Sequence, residues 1–290
     1  MIRAACVFMF SSFLLGLTLS ASPASAQSNR TFVSSQGNDA NPCSRAAPCR
    51  TFASALANTN SGGEVNVLDP AGYGAVTIDR SVSIVDDGVG EAGIQATSGG
   101  SAITINAGST DIIHLRGLTL DGAGVAANGI QFNSGGSLTV VNCVIRNFTS
   151  TGINLAPLFG MSFFISDTFV SDNQGNAIAI FPQGITTKGT FDRVKAVNNA
   201  NGISVDGSNA TGTIDITINN SVIASNKNNG LYAYTISGSS SPVVRLGQTM
   251  ISENAFGIAG AALVSSYGDN KIYGNGSDVS GGGLITIPMH

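Results

Sequence analysis

The 290-residue chain has no tryptophan, two histidines, eight prolines and only 10% charged residues. Its 13 Lys+Arg are outnumbered by 17 Asp+Glu. A nucleic-acid partner is therefore not expected, because neutralising phosphates needs a basic surface. Scarce Lys and Glu exclude a coiled coil or helix bundle, whose periodic sequences are rich in both. Disorder is excluded as well, since it needs low hydrophobicity and high net charge, and here the net charge is −4 with 42% hydrophobic residues. What the chain has in abundance is glycine and asparagine, 37 and 26 residues. These residues tolerate tight and left-handed bends.

One apolar run stands apart. Arg3 precedes Val7 to Leu19, and Ala24-Ser25-Ala26 follows with small residues. Positive start, short apolar centre and small-residue end are the pattern of an export leader, cleaved after Ala26. The run is too short to span a bilayer, which needs about 20 apolar residues. No later segment is long and apolar enough to do so, so no integral membrane segment is expected after leader removal. A secreted or periplasmic location follows. Loss of Arg3 leaves the mature chain one unit more negative than the full chain's −4.

Of four cysteines, Cys6 departs with the leader. Cys43 and Cys49 flank a short Pro-containing loop and are expected to form a local disulfide in an oxidising compartment. The rival reading, a two-Cys metal site, lacks a nearby His. Cys143 reads as a small core residue rather than a nucleophile.

The dominant signal is an internal repeat. Gly or Ala followed by an aliphatic and then alternation recurs seven times, with the first aliphatic at Ile103, Ile130, Ile153, Ile178, Ile203, Leu231 and Ile258. A second motif keeps the same beat, a polar residue with Asn six positions on: Asp167 and Asn173, Asp192 and Asn198, Asn220 and Asn226, Gln248 and Asn254, Asp269 and Asn275. Asn142 and Asn147 are the same feature one residue shorter. A period near 25 with short alternating stretches implies stacked coils of a few strands each. Every backbone group then pairs with the coil above or below, and like side chains form columns. The expected fold is all-β, a right-handed single-stranded parallel β-helix. A β-sandwich would show hairpin spacing without a fixed repeat. Three segments are expected: the leader at 1–26, an N-terminal segment at 27–60 with the disulfide loop and a short capping helix, and the β-helix at 61–290. The helix candidate is Arg50 to Ala57, with Phe52 and Leu56 four apart.

Residues 48–84, from Pro-Cys-Arg-Thr-Phe through Arg-Ser-Val-Ser-Ile, resemble the N-terminal cap and first coil of the pectate-lyase-like right-handed parallel β-helix superfamily. His114 to Gly122 is similar to that group's recurrent coil. The resemblance implies the fold. It also implies a group that holds polysaccharide lyases, galacturonan hydrolases, pectin esterases, alginate epimerases, phage tailspikes and exported proteins without assigned activity. No enzyme signature of the group is intact. The Arg-x-Pro-x-x-Arg of pectate lyases is missing. Asp86-Asp87 and Arg193-Val194-Lys195 echo the hydrolase motifs in the wrong order, and Asp69-Pro70 continues into Ala71-Gly72 rather than the epimerase His-Glu.

The columns supply candidate sites of their own. The second motif aligns Asp167 and Asp192 on adjacent coils, about 5 Å apart at strand spacing. Such a pair raises one pKa for acid/base work or holds Ca²⁺; the competing reading is a bend ladder in which Asp replaces Asn. Arg193 and Lys195 flank the pair, to neutralise it or contact an acidic sugar. These four form the candidate catalytic set for an enzyme acting on uronic-acid polymers. His114 aligns with Val140, Ile165 and Leu246, which points to a buried structural His. Alternation places Phe181, Asp206, Tyr232 and Tyr234 outward over three coils. Aromatics beside polar groups suit stacking and hydrogen bonding of sugars; the alternative is that loop 207–213 or 235–241 covers them. The expected role is polysaccharide binding or a structural surface role through the lateral face.

Overall fold

The computed structural model describes residues 27–184, 186–260 and 263–288. The expected leader at 1–26 and the terminal His290 lie outside them. The described chain winds into a parallel β-solenoid with three sheets of eleven, nine and nine strands. One coil shows the plan. Thr187–Asp192 runs in the first sheet, Lys195–Val197 in the second and Asn201–Asp206 in the third. Loop 207–213 then leads to Ile214–Asn219, the next strand of the first sheet.

Two bends per coil are made by single residues in the left-handed region. The bend after the first sheet uses Asn142, Asp167, Arg193, Asn220 and Gln248, with φ of 55°, 50°, 54°, 49° and 48°. The bend after the second sheet uses Asn147, Asp172, Asn198, Ser225 and Glu253, with φ of 62°, 58°, 59°, 55° and 60°. Asparagine's tolerance of this region explains much of its abundance. The next residue at the second bend points inward. Asn173, Asn199, Asn226 and Asn254 are all buried. Asn226 Nδ2 donates to Asn254 Oδ1 at 2.9 Å and to the Ala196 carbonyl at 3.1 Å. Its own Oδ1 accepts the Asn199 backbone N–H at 3.0 Å. The ladder thus satisfies backbone groups that the bend would otherwise bury unpaired.

The aliphatics of the repeat pile along one axis. Ile130, Ile153, Ile178, Ile203, Leu231 and Ile258 are successive partners in the third sheet, and all are buried. The preceding glycine lets the coils approach. A Cβ on Gly202 would stand 2.4 Å from the Gly230 carbonyl oxygen and 2.5 Å from Ile223.

At the N-terminal end, Thr51 caps a helix over Phe52–Ala57, its hydroxyl accepting from the Ser54 amide at 3.2 Å. Phe52, Ala55 and Leu56 are buried, and the Phe52 ring lies 5.1 Å from that of Tyr73. Cys43 and Cys49 are joined as a disulfide. Cys143 is buried in the core, where loss of hydration pushes its thiol up to about 11 and leaves it inert at neutral pH.

His114 is not inward. Its strand neighbours are Ser83 and Thr139, and it faces solvent, while Leu115 fills the core position. A one-residue slip in register exchanges the two faces of a strand, and the alignment with Val140 contains that slip.

Candidate functional site

Asp167 and Asp192 do not occupy one column. Asp192 ends a strand, paired with Ser166 and Asn219, whereas Asp167 is the bend residue one step further on. The column mate of Asp167 is Arg193. The coil from 167 to 193 is one residue longer than the coil from 142 to 167, so a fixed six-residue offset to Asn picks the wrong residue here.

Arg193 therefore sits between the two carboxylates and clasps both. Its Nε reaches Asp167 Oδ1 at 2.6 Å and its Nη2 reaches Oδ2 at 2.9 Å. Its Nη1 bonds Asp192. Asn220 Nδ2 donates to the other Asp192 oxygen at 2.8 Å. The Arg193 guanidinium holds the Asp167 carboxyl below its ordinary value, against a smaller opposing effect of burial. The raised pKa expected of a carboxylate pair is thus replaced by a lowered one. Lys195 projects between Phe169 and Val222 on the second sheet. Together with Arg193, Asn220 and Asp167 they line a groove of about 510 Å³. Among the described residues no three His, Cys, Asp or Glu side chains converge as metal ligands, and the two carboxylates near one another here are already bridged by a guanidinium.

The third sheet presents a different surface. Its outward column runs Thr104, Gln131, Asn154, Ala179, Ser204 and Tyr232 in register. Toward the N-terminal end the amides are cross-linked. Asn154 Nδ2 donates to Gln131 Oε1 at 2.9 Å, Gln131 to Asn133 at 2.8 Å, and Asn133 to Asn106 at 2.8 Å. In the middle, small Ala179 and Ser204 leave a depression of about 240 Å³, bounded by Asn154, Asn176, Phe181 and Asp206. Asp206 pairs across the strands with Tyr234. The rings of Tyr232 and Tyr234 lie stacked, 5.8 Å apart at 19°. Burial raises the Tyr232 hydroxyl pKa, helped by Tyr234 and by the Asp206 charge. Tyr234 remains 39% exposed, so loop 235–241 does not cover it. The structure thus brings Phe181, Asp206, Tyr232 and Tyr234 to one face, as alternation implied.

Charge is sorted by face. In the third sheet, the strands from Ser101–Asn106 to Phe256–Ala259 contain one charged residue, Asp206. The second sheet carries Asp121, Arg146, Lys195 and Lys271 in its strands, and the first carries Arg116, Lys188, Asp192, Asp215 and Arg245 among others. The reading from sequence missed the Asp215–Arg245 ion pair and a groove of about 520 Å³ lined by Gly72, Gly93, Thr119, Asp121 and Arg146. Both are signalled by alternation once the register is right; neither is signalled by a motif.

No family model matches the sequence, and no curated protein matches it. Solved structures do. The crystal structure of pectate lyase Pel9A matches with a TM-score of 0.59 at 15% identity, over 86% of this chain and 71% of that one. The chain shares the parallel β-helix fold of that lyase. A rhamnogalacturonan lyase is also similar, with a TM-score of 0.49 at 12% identity, over 82% of this chain and 72% of that one. At such identities the likeness is one of fold, and the chemistry has to come from the side chains described above.

Proposed function

We propose that this is an exported β-helix protein that binds a neutral polysaccharide on its third sheet. The observation that carries the reading is the stacked Tyr232–Tyr234 pair beside a shallow, small-residue depression walled by Phe181 and Asp206. Aromatic faces stack on the C–H faces of sugar rings, and amides and a carboxylate take their hydroxyls. The third-sheet strands contain no Lys or Arg, so the face offers no cation to attract uronates. Residues 1–26 are the leader on this reading, and the disulfide suits an oxidising compartment. The helix Phe52–Ala57 serves as the cap of the solenoid, whose winding takes the right-handed sense general to parallel crossovers. No helix of the described residues is long and apolar enough to cross a membrane.

A second reading rests on the groove at Arg193 and Lys195: action on an acidic polymer, with Asp167, Asp192, Arg193 and Lys195 as the working set. The clasp argues against Asp167 as a proton donor, since a carboxyl held below its ordinary value stays ionised at neutral pH.

The test is affinity electrophoresis in gels containing xylan, β-glucan, galactomannan or polygalacturonate. We predict retardation by at least one neutral polymer and about ten-fold weaker binding for Tyr232→Ala and Tyr234→Ala, the scale of one lost aromatic contact. Retardation by polygalacturonate alone, abolished by Lys195→Ala, would favour the second reading instead.

A further inference from the structure

Beyond the end of the third sheet, loops 207–213 and 235–241 of neighbouring coils border an open pocket of about 480 Å³. Its lining includes Ser208, Asn209, Thr211, Gly238, Ser239 and Ser240, with no charged and no aromatic side chain. The pocket is braced by its own backbone. Ser239 Oγ donates to the Ser208 carbonyl at 2.6 Å, and the Ser240 amide donates to the Ala210 carbonyl at 3.1 Å. Among the described residues, the Asn209 amide and the Ser240 hydroxyl have no hydrogen-bond partner. They remain available to a ligand that brings hydroxyls of its own.

This pocket is joined to the sheet depression. Asp206 walls the depression, and two residues later Ser208 lines the pocket. One carboxylate oxygen of Asp206 accepts both the amide, at 2.8 Å, and the hydroxyl of Ser208. The other oxygen has no partner among the described residues and is free for a sugar hydroxyl. Ser208 lies two residues beyond Asp206, at most about 7 Å along the chain, so a ligand filling both cavities passes beside Asp206.

We propose that the loop pocket is a second subsite of the same polysaccharide site, taking an uncharged, hydroxyl-rich sugar unit beyond the one stacked on Tyr232 and Tyr234. The polymer then crosses from the third sheet onto the loops that lead to the first sheet, rather than following the solenoid axis. This inference rests on the third-sheet reading and adds to it a direction and a minimum length.

The two fail separately. The probes are oligosaccharides of two to six units, prepared from whichever of xylan, β-glucan or galactomannan retards the protein, with binding measured by titration calorimetry. Affinity should rise with length until both cavities are filled. Asn209→Ala and Ser240→Ala should each weaken the longest oligomer about five-fold, the scale of one lost neutral hydrogen bond, and leave the disaccharide unchanged. Both variants should keep the thermal midpoint of the parent, since neither side chain bonds the protein. About ten-fold weaker binding in Tyr232→Ala, with Asn209→Ala and Ser240→Ala binding the longest oligomer like the parent, overturns the subsite and keeps the sheet site. Retardation by no neutral polymer overturns both. Equal weakening of disaccharide and longest oligomer in Asn209→Ala also overturns the subsite, because the effect then lies outside a second position.

Discussion

At the scale of single residues, the bends decide what the fold tolerates. Asn226 is buried, accepts from the coil before it and donates to the coil after it. Replacing it by alanine strands the buried Asn199 amide and removes the side-chain bonds to Asn254 and the Ala196 carbonyl. We predict that Asn226→Ala lowers stability by about 3 kcal/mol, read from urea unfolding, since each buried group left unpaired costs roughly 1–3 kcal/mol. Asp69 sets a pH dependence in the N-terminal segment. Burial works to raise its carboxyl, but bonds from the Ser34 hydroxyl, the Ser35 amide and the Tyr73 hydroxyl outweigh that and hold it below the ordinary value. A carboxyl lowered by folding adds stability above its unfolded pKa of about 3.9 and loses it as pH falls through the folded value. Asp167, held low by Arg193, acts in the same direction. The thermal midpoint is therefore predicted to hold from neutral pH to about 5 and to fall below about 4. Asp69→Asn should lower the neutral midpoint and flatten the acid limb; an unchanged acid limb would contradict the assignment.

At the scale of strands and coils, packing between neighbours fixes the register. Gly189 follows Phe163 in the first sheet, and a Cβ there would lie 1.9 Å from the Phe163 ring. The ring occupies the space the glycine vacates and rests 5.1 Å from Phe191. We predict that Gly189→Ala destabilises the protein by about 2 kcal/mol, with the loss in hydrogen-exchange protection centred on the strands of Phe163 and Phe191. The same coupling explains which features were legible in the sequence. The column from Ile130 to Leu231 can be read because its Gly-Ile motif marks a place where neighbouring coils come close. The outward row with Tyr232 and Tyr234 could be read because it is counted from that motif within a single strand. His114 and the Asp167–Asp192 pair were misplaced because they were counted across coils of unequal length. Nothing local in the sequence marks where an extra residue enters a bend. The strand Ser28–Val33 lacked the repeat altogether and is held in the first sheet by pairing with Thr59–Val67.

At the scale of the whole molecule, three faces wind from one repeat yet differ in chemistry. Two carry paired charges, and one carries amides, hydroxyls and aromatics with a single carboxylate between its strands Ser101–Asn106 and Phe256–Ala259. A solenoid allows this because each outward column varies independently of the core columns. The Arg193 clasp neutralises much of the charge that would otherwise mark the bend after the first sheet as an acid/base centre. The strands Asn201–Asp206 and Asn229–Tyr234 and the loop pocket beyond them carry Asp206 as their one charge. The measurement that tests this division most directly is hydrogen exchange of the full mature chain with and without a saturating neutral polysaccharide that retards it. The account predicts added protection in Asn201–Asp206 and Asn229–Tyr234, and little change in Lys195–Val197 or at Asp167. Protection confined to Lys195–Val197 and the bend at Asp167 and Arg193 would contradict it.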